Sequence, residues 1–238
     1  MALTSLYVEP APAEDEREPP ALELLDVFRI FSSGTTETVA LKGLSLKVPA
    51  HSVTAVYGPS GSGKSTCLHL AAGLDTPSAG EVRAFGRPLD RMDEQQLSRH
   101  RARTVAIVFQ RDNLWSSLTA LENVEMALRL GGSDDVAGPA RAALEQFGLK
   151  HRMSHRPASL SGGEQQRVAI AAAAARRAPL VLADEPTGEL DSANERLVID
   201  ALLGLRDTAG STAVVVTHSP RVRERADDVI ELRDGRAT

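Results

Sequence analysis

Four short apolar runs dominate the hydrophobic pattern of the chain. They cover Val53–Tyr57, Thr104–Phe109, Leu180–Asp184 and Ala213–Thr217. Each run is nearly continuous in apolar residues instead of alternating with polar ones, which is typical of strands that helices cover on both faces. Two further β-type segments, Leu22–Phe31 and Val39–Val48, flank a turn rich in Gly, Ser and Thr. The pattern therefore predicts a buried sheet preceded by a second β region.

Longer segments between these strands have the length and composition of helices. They are Lys64–Gly73, Leu118–Leu130, Val136–Phe147, Gly163–Arg177 and Ser192–Arg206. Strands that alternate with helices favour an α/β fold with a mainly parallel core sheet. We expect one domain over residues 21–238, and the helix-rich stretch at about residues 90–177 predicts a helical subdomain within it.

The charge of the chain is concentrated at its start. Residues 1–20 contain five acidic residues and one arginine, so they carry −4 of the net charge of −5. They are also rich in proline and lack apolar periodicity, which predicts a disordered tail. The remaining residues are nearly neutral in total, so composition gives no reason to expect nucleic acid as a partner.

Composition excludes several other classes of protein. A single cysteine excludes a disulfide framework and a zinc site with several cysteines. No apolar run approaches the roughly 18 residues that span a bilayer. The first ten residues lack the basic and apolar regions of an export signal. We therefore expect a soluble protein of the cytoplasm.

A glycine-rich segment directly after Val53–Tyr57 carries the first functional signal. It fits the pattern GxxxxGK[ST] and reads Gly58-Pro59-Ser60-Gly61-Ser62-Gly63-Lys64-Ser65-Thr66. Between a strand and a helix, such a loop turns its backbone N–H groups towards phosphates, and the helix dipole adds positive potential. Lys64 would neutralise the β- and γ-phosphates of a nucleotide, and the Ser65 hydroxyl would bind Mg²⁺. A glycine-rich surface turn is the competing interpretation, but lysine is scarce in this chain, which makes a chance match improbable.

Two adjacent acids, Asp184 and Glu185, end the strand Leu180–Asp184. Neighbouring side chains on a strand point to opposite faces, so the two carboxylates should have different roles. Asp184 fits a residue that holds Mg²⁺ through water, and Glu185 fits a general base for the attacking water. A strand-ending turn with solvated acids would have the same sequence, but the phosphate loop upstream favours the catalytic interpretation.

A second glycine pair begins another predicted helix, in the segment Leu160-Ser161-Gly162-Gly163-Glu164. Ser161 is a good N-cap, and the glycines open the backbone at a helix N-terminus that can face an anion. A simple capped helix explains the local pattern, but it does not explain why one chain has two phosphate-facing surfaces. With these motifs in this order, residues 22–238 resemble the nucleotide-binding subunits of ABC transporters, whose signature motif this segment matches.

The resemblance implies the fold and the assembly. The fold would be a P-loop NTPase of the ABC type, with a mainly parallel core sheet, an antiparallel β subdomain and a helical subdomain that carries the signature. The assembly would be a homodimer with two ATP molecules. Each ATP, with its Mg²⁺, would lie between the phosphate loop of one copy and Ser161–Gly163 of the other.

The resemblance also implies roles for single residues. Gln110 would approach Mg²⁺ and the attacking water, and His218 would contact the γ-phosphate and orient the base. Asp191 would communicate across the dimer. Phe31 would stack on adenine, although Phe28 competes for that role and a core phenylalanine would have the same pattern.

Two positions depart from the family pattern. Ser219 stands where the family usually has an aspartate after the histidine, so the partner that orients His218 is open. Ala172 replaces a common arginine beside the signature helix. Neither change removes a group that hydrolysis needs, but both could slow it.

Four other segments are similar to the MacB, LolD and FtsE branch of bacterial ABC proteins. They are Gly73–Gly80, Leu118–Val124, Ala183–Gly188 and Leu232–Arg236. This similarity implies an ATPase that drives a separate integral-membrane permease of the FtsX or MacB kind. Binding to that permease would hold the ATPase at the inner face of the membrane. The permease would dock in a groove beside Leu114 and Trp115; a buried packing tryptophan is the alternative.

Two other functions stay open from the sequence. One is a regulatory ABC ATPase that controls a cell-wall enzyme through an FtsX-like membrane protein and moves no cargo. The other is an ABC ATPase of DNA repair or translation. This second function is disfavoured. An ABC ATPase of DNA repair needs a very long insertion between the phosphate loop and the signature, and this chain has only residues 66–159 there. An ABC ATPase of translation has two cassettes in one chain, and this chain has one.

Overall fold

The computed structural model describes residues 18–34 and 36–238. The predicted disordered tail therefore lies outside the described residues, except for residues 18–20, which have no regular secondary structure. In chain order the elements are β1 (Leu22–Ser33), β2 (Thr36–Val48), β3 (Val53–Tyr57), α1 (Lys64–Ala71), β4 (Ala79–Ala84), β5 (Arg87–Pro88), α2 (Glu94–Arg103), β6 (Val105–Val108), α3 (Ala120–Leu130), α4 (Ala137–Gln146), α5 (Gly162–Ala175), β7 (Leu180–Asp184), α6 (Ser192–Ala209), β8 (Thr212–Thr217), α7 (Pro220–Arg225), β9 (Asp228–Arg233) and β10 (Arg236–Ala237).

The core sheet has six strands in the order β10-β9-β3-β8-β7-β6. All neighbours in it are parallel except the last pair, β10 and β9. The mainly parallel sheet predicted from the four apolar runs is therefore confirmed. Because β3, β6, β7 and β8 run in the same direction, the loops that follow them meet at one edge of the sheet.

Alternate residues of the core strands serve two different hydrophobic clusters. On β7, Leu180 and Leu182 pack with α1, whereas Val181 and Ala183 pack with α5 and α6 on the other face. All four side chains are fully buried. This two-sided burial is the physical reason why the run is apolar at every position.

The second sheet is antiparallel and has the order β2-β1-β4-β5. Helix α1 contacts strands of both sheets, and their apolar residues form one cluster with Leu68 and Leu70 of the helix. The backbone N–H of Lys42 on β2 donates to Gly235 O, just before β10, at 2.9 Å. The antiparallel β subdomain is thus joined directly to the core.

Helices α3, α4 and α5 surround a third cluster that includes Val124, Leu144 and Val168. The range predicted for the helical subdomain also contains β6, which pairs with β7 in the core sheet. The sequence pattern did not predict helices α2 and α7 or strands β4, β5, β9 and β10. In the described part of the chain, none of the helices has the length and apolarity needed to cross a membrane.

Candidate functional site

The phosphate loop connects β3 to α1 and depends on two glycines. A Cβ at Gly58 would lie 2.1 Å from Leu232 O, and one at Gly63 would lie 2.7 Å from Ala40 O. Gly63 also has φ of 99° and caps α1 without a side-chain hydrogen bond. The first N–H groups of α1 are therefore not capped by a side chain, which is the arrangement that binds phosphate.

Lys64 lies across the mouth of its own loop. The side chain is 7% exposed, and its Nζ donates to Gly58 O at 2.9 Å and to Pro59 O at 3.0 Å. Nζ also lies 3.5 Å from Glu185 Oε1. The ammonium group is thus held where the loop, the helix start and the end of β7 converge, and its charge is directed at the space a phosphate would fill.

Ser65 and Asp184 form a pair of oxygen donors beside the loop. The Ser65 hydroxyl donates to Asp184 Oδ1 at 3.2 Å. Burial raises the pKa of Asp184, and the hydrogen bond from Ser65 opposes that effect only in part. A half-buried carboxylate next to a hydroxyl suits a hard divalent cation such as Mg²⁺, which would offset the cost of partly burying the charge. These two residues fit the predicted metal position, where Mg²⁺ usually keeps water and phosphate oxygens as its other ligands.

Glu185 contacts a different set of partners from those of Asp184, as the strand geometry predicts. Its Oε2 lies 2.9 Å from Nδ1 of His218 and accepts a hydrogen bond from the His218 backbone N–H at 3.2 Å. Its backbone has φ of 43°, an unusual value for a residue with a side chain. A carboxylate that is fixed by an unusual backbone conformation and held by a histidine has the geometry of a general base and the group that orients it.

Gln110 lies in the loop after β6, where its side chain meets the loop after β7. Its Nε2 donates to Glu189 Oε1 at 3.4 Å. Arg111 Nε donates to both carboxylate oxygens of Glu189, at 2.7 and 2.6 Å. The loop after β6 and the loop after β7 are thus joined by the bidentate ion pair of Arg111 with Glu189, next to Gln110.

Arg111 and Glu189 were not predicted as site residues from the sequence. The available signal was the opposite charge of two loops that follow neighbouring parallel strands, β6 and β7. That signal becomes informative only when the order of the strands in the sheet is known.

Ser161 caps helix α5 through a reciprocal pair of hydrogen bonds. Its Oγ accepts from the Glu164 N–H at 3.2 Å, and its own N–H donates to Glu164 Oε2 at 2.8 Å. Glu164 also pairs with Arg152 at 2.7 Å. The helix start in the signature segment is therefore fixed in place by side chains, with Gly162 and Gly163 as its first two residues.

The signature segment touches the start of α6. A Cβ at Gly163 would lie 2.6 Å from Oδ1 and 2.8 Å from Cβ of Asn194. Asn194 in turn donates from Nδ2 to Asp191 Oδ2 at 2.7 Å, and Asp191 accepts from two backbone N–H groups as the N-cap of α6. Asp191 therefore also holds Asn194 against the signature glycine, a contact that the sequence did not reveal.

Phe31 and Phe28 differ in exposure. The Phe31 side chain is exposed, at 42%, and the Arg29 guanidinium lies 4.4 Å from the centre of its ring. Phe28 is partly buried, and its ring lies within 3.2 Å of the position a Cβ would take at Gly43. Exposure favours Phe31 over Phe28 as the residue that stacks on a base. Phe31 is not a core phenylalanine, because its side chain is exposed.

Trp115 is 49% exposed, so the alternative of a buried packing tryptophan is wrong. With Leu114 it lines a cavity of about 170 Å³ next to α3 and α5. The backbone around it is fixed by buried Asn123, whose Oδ1 accepts from the Trp115 N–H at 2.8 Å and whose Nδ2 donates to Thr119 O at 2.9 Å. An exposed indole on a rigid loop is a favourable anchor for a partner.

The two departures from the family pattern have local partners. The Ser219 hydroxyl donates to Glu195 Oε1 at 2.7 Å, so this residue is tied to α6. Ala172 lines the cavity beside Trp115, together with Arg176 one turn later. The Arg176 guanidinium reaches the carbonyl of Val105 at 3.2 Å. Arg176, at the C-terminal end of α5, therefore joins this helix to β6, the strand that precedes Gln110.

Comparison with known proteins gives consistent matches. The sequence profile of the family described as "ABC transporter" matches residues 41–188. The lipoprotein-releasing system ATP-binding protein LolD of Geobacter metallireducens is 42% identical over 217 residues, which cover 90% of this chain and 96% of that protein. The macrolide export ATP-binding/permease protein MacB of Hyphomonas neptunium is 41% identical over 220 residues, which cover 92% of this chain but 34% of that protein.

A solved structure has the same fold. It is the dimeric, post-hydrolysis state of an ATP-binding cassette bound to ADP and Pi, with a TM-score of 0.83 and 37% sequence identity. The match covers 91% of this chain and 96% of that one.

Proposed function

This chain belongs to the ABC transporter family of ATP-binding proteins, and from that premise we propose that it hydrolyses ATP as a homodimer and thereby drives a separate membrane permease. One observation carries the proposal. Lys64 and His218 both lie against Glu185, where the phosphate loop, the end of β7 and the end of β8 meet. This arrangement brings a phosphate-binding cation, a carboxylate base and its orienting group into one place.

The proposed dimer is what membership of the family implies, and it gives a role to both of the helix starts that can face an anion. The start of α1 follows Gly63, and the start of α5 follows Ser161. In a two-fold dimer each nucleotide would meet the first surface of one copy and the second surface of the other, so identical chains would form two equivalent sites. The structural relative was solved as a dimer with ADP and Pi.

In the proposed mechanism, the phosphate loop binds the triphosphate through its N–H groups and Lys64. Ser65 and Asp184 would hold Mg²⁺, which neutralises phosphate charge when it is bound. Glu185 accepts a proton from the water that attacks the γ-phosphate in line with the leaving group. His218 keeps Glu185 oriented, and Gln110 would help to place the water.

A turnover assay tests this proposal directly. The purified chain should release phosphate from Mg-ATP, and the rate per chain should rise with protein concentration because only dimers have complete sites. Phosphate release is measured over a hundredfold dilution series, with total ATP kept saturating. Absence of phosphate release at the highest concentration would contradict the proposed activity.

We propose that the permease is a separate polypeptide of the FtsX or MacB kind and that it holds this protein at the inner face of the membrane. The names of two relatives refer to lipoprotein release and to macrolide export, which supports a partner that handles cargo at the membrane. Lipoprotein release, export of drugs or peptides and mechanical transmission are all consistent with this site. The exposed indole of Trp115 is the proposed contact with the permease.

Replacing Trp115 with Ala should therefore impair co-purification of the permease and leave ATP binding unchanged. The exposed side chain contributes contact area and little to the core, so loss of an interface anchor should weaken the complex about tenfold or more. Pull-down from detergent-solubilised membranes measures the complex, and a fluorescent ATP analogue measures nucleotide binding. Leu197→Ala is the matched control, because Leu197 is also exposed but lies on α6 and does not line this cavity, so both properties should be retained. Loss of both properties in Trp115→Ala would indicate a structural role instead.

A further inference from the structure

Helix α2 borders a second cavity, of about 450 Å³, that the nucleotide site does not use. We call it the basic cavity and define it by Arg87, Arg99, His100 and Arg103, which line it. Positions 99 and 100 lie four and three residues before position 103 on α2, so each of them shares a face of the helix with Arg103. Arg87 on β5 adds a charge from the other side. In the described part of the chain, no acidic residue lines this cavity.

The arginines of the basic cavity differ from their neighbours in their partners. Arg83 pairs with Glu81 at 3.0 Å and Arg101 pairs with Glu94. Within residues 18–34 and 36–238, by contrast, no carboxylate forms an ion pair with Arg87, Arg99 or Arg103. Three guanidinium groups thus converge without internal compensation, which makes the local potential positive.

His100 supplies an independent observation. The side chain is only 9% exposed, and its Nε2 is buried with no hydrogen-bond partner among the described residues. Burial lowers the pKa of His100, and the charges of Arg101 and Arg87 lower it further. A buried polar atom without a partner carries a cost of desolvation, which a hydrogen bond to a bound ligand would offset.

Complementing the helix dipole explains only part of this arrangement. Arg103 lies in the last turn of α2, where a positive charge is favourable. Arg87 is on a strand, however, so the dipole of α2 does not account for it.

We propose that the basic cavity binds an anion with several acceptor oxygens. Guanidinium groups bind phosphate and carboxylate oxygens with paired hydrogen bonds, and His100 would gain an acceptor or donor contact according to its tautomer. Two sources have this chemistry. One is a free phosphorylated small molecule, and the other is the carboxylate-rich segment of residues 9–18 of this chain.

The second source is within reach of the cavity. A Cβ at Gly86, the residue before Arg87, would lie 3.6 Å from Pro19 Cβ, so the described chain begins next to this region. Residues 9–18 carry five acids and one arginine. Full extension of 17 residues spans roughly 56 Å, at about 3.3 Å per residue, so length does not limit this contact.

Inorganic pyrophosphate, titrated into the full chain, tests the proposal. The readout is the ring NMR signal of His100, assigned by its loss in His100→Gln. Arg99→Ala/Arg103→Ala should weaken binding about tenfold or more, since it removes two charge-assisted contacts. Arg141→Ala is the matched control, because Arg141 is exposed on α4, away from the cavity. Lys64→Ala removes binding at the phosphate loop and should leave the response of His100 unchanged, so this test does not depend on the proposed ATPase activity.

A third variant distinguishes the two sources. Glu14→Gln/Asp15→Asn/Glu16→Gln keeps the chain at full length and neutralises three of its acids. If pyrophosphate binds the unmodified chain, a free phosphorylated ligand is supported; if it binds only this variant, the carboxylates of the chain are the occupant. If the His100 signal does not move in either protein, or if it moves equally in Arg99→Ala/Arg103→Ala, the proposal is overturned.

Discussion

Replacing Glu185 with Gln is expected to lower ATP turnover by about 10²–10⁴-fold and to leave ATP binding intact. Glutamine has the same shape and can still accept the hydrogen bond from the His218 N–H, which is 3.2 Å from Glu185 Oε2. It cannot accept a proton from water at neutral pH. It also removes a negative charge 3.5 Å from Lys64 Nζ, so the attraction of Lys64 for phosphate should not decrease. Pre-steady-state phosphate release measures the chemical step, and equilibrium binding of an ATP analogue measures the affinity.

Glu224→Gln provides the control for this change. Glu224 is exposed on α7, a short helix that follows His218, and the same isosteric substitution there should alter neither property. Turnover of Glu185→Gln within a factor of about three of the unmodified chain would remove Glu185 from the role of general base.

Replacing Gly163 with Ala should also reduce turnover strongly, by about 10²-fold, which is typical for the loss of one contact to a reacting phosphate or oxyanion. The new Cβ would lie 2.8 Å from Asn194 Cβ, and that atom cannot move unless helix α6 shifts. The start of α5 and the start of α6 would therefore separate. ATP binding to a single chain should persist, because the phosphate loop of that chain is not altered.

The matched control is Gly204→Ala, which also places a methyl group on a helical glycine. A Cβ at Gly204 would meet nothing within 4 Å, so activity should be retained and helix α6 should gain slightly in stability. Unchanged turnover in Gly163→Ala, measured at saturating ATP, would show that this contact does not matter for hydrolysis.

The core of the fold was predictable because its buried strands and helices have clear patterns of apolar residues in the local sequence. The apolar run Leu180–Asp184 and the helix after Lys64 were placed within two residues of where they lie, since continuous burial leaves an unambiguous pattern. Strand β4 was missed because only Val82 and Ala84 of its six residues are buried, which leaves too short an alternation to recognise in the sequence. Helix α2 was missed because its sequence is polar, and a capping box at Asp93 marks its start instead of an apolar stripe.

The motifs of the site were predictable because each one is contiguous in sequence. The phosphate loop is one such motif and the Asp184-Glu185 pair is another, and the structure brings the two together. Contacts between separate loops, such as Arg111 with Glu189, depend on the order of strands in the sheet. The same holds for Asn194 against Gly163, which no single segment could have revealed.

The mass in solution of Glu185→Gln with saturating Mg-ATP tests the proposed dimer most directly. One chain has a mass of 25.4 kDa, and light scattering after size-exclusion chromatography distinguishes it from a pair. We expect a dimer with two bound ATP molecules, which returns to single chains when the nucleotide is removed. A single chain that stays monomeric while saturated with Mg-ATP would contradict a site shared between two copies.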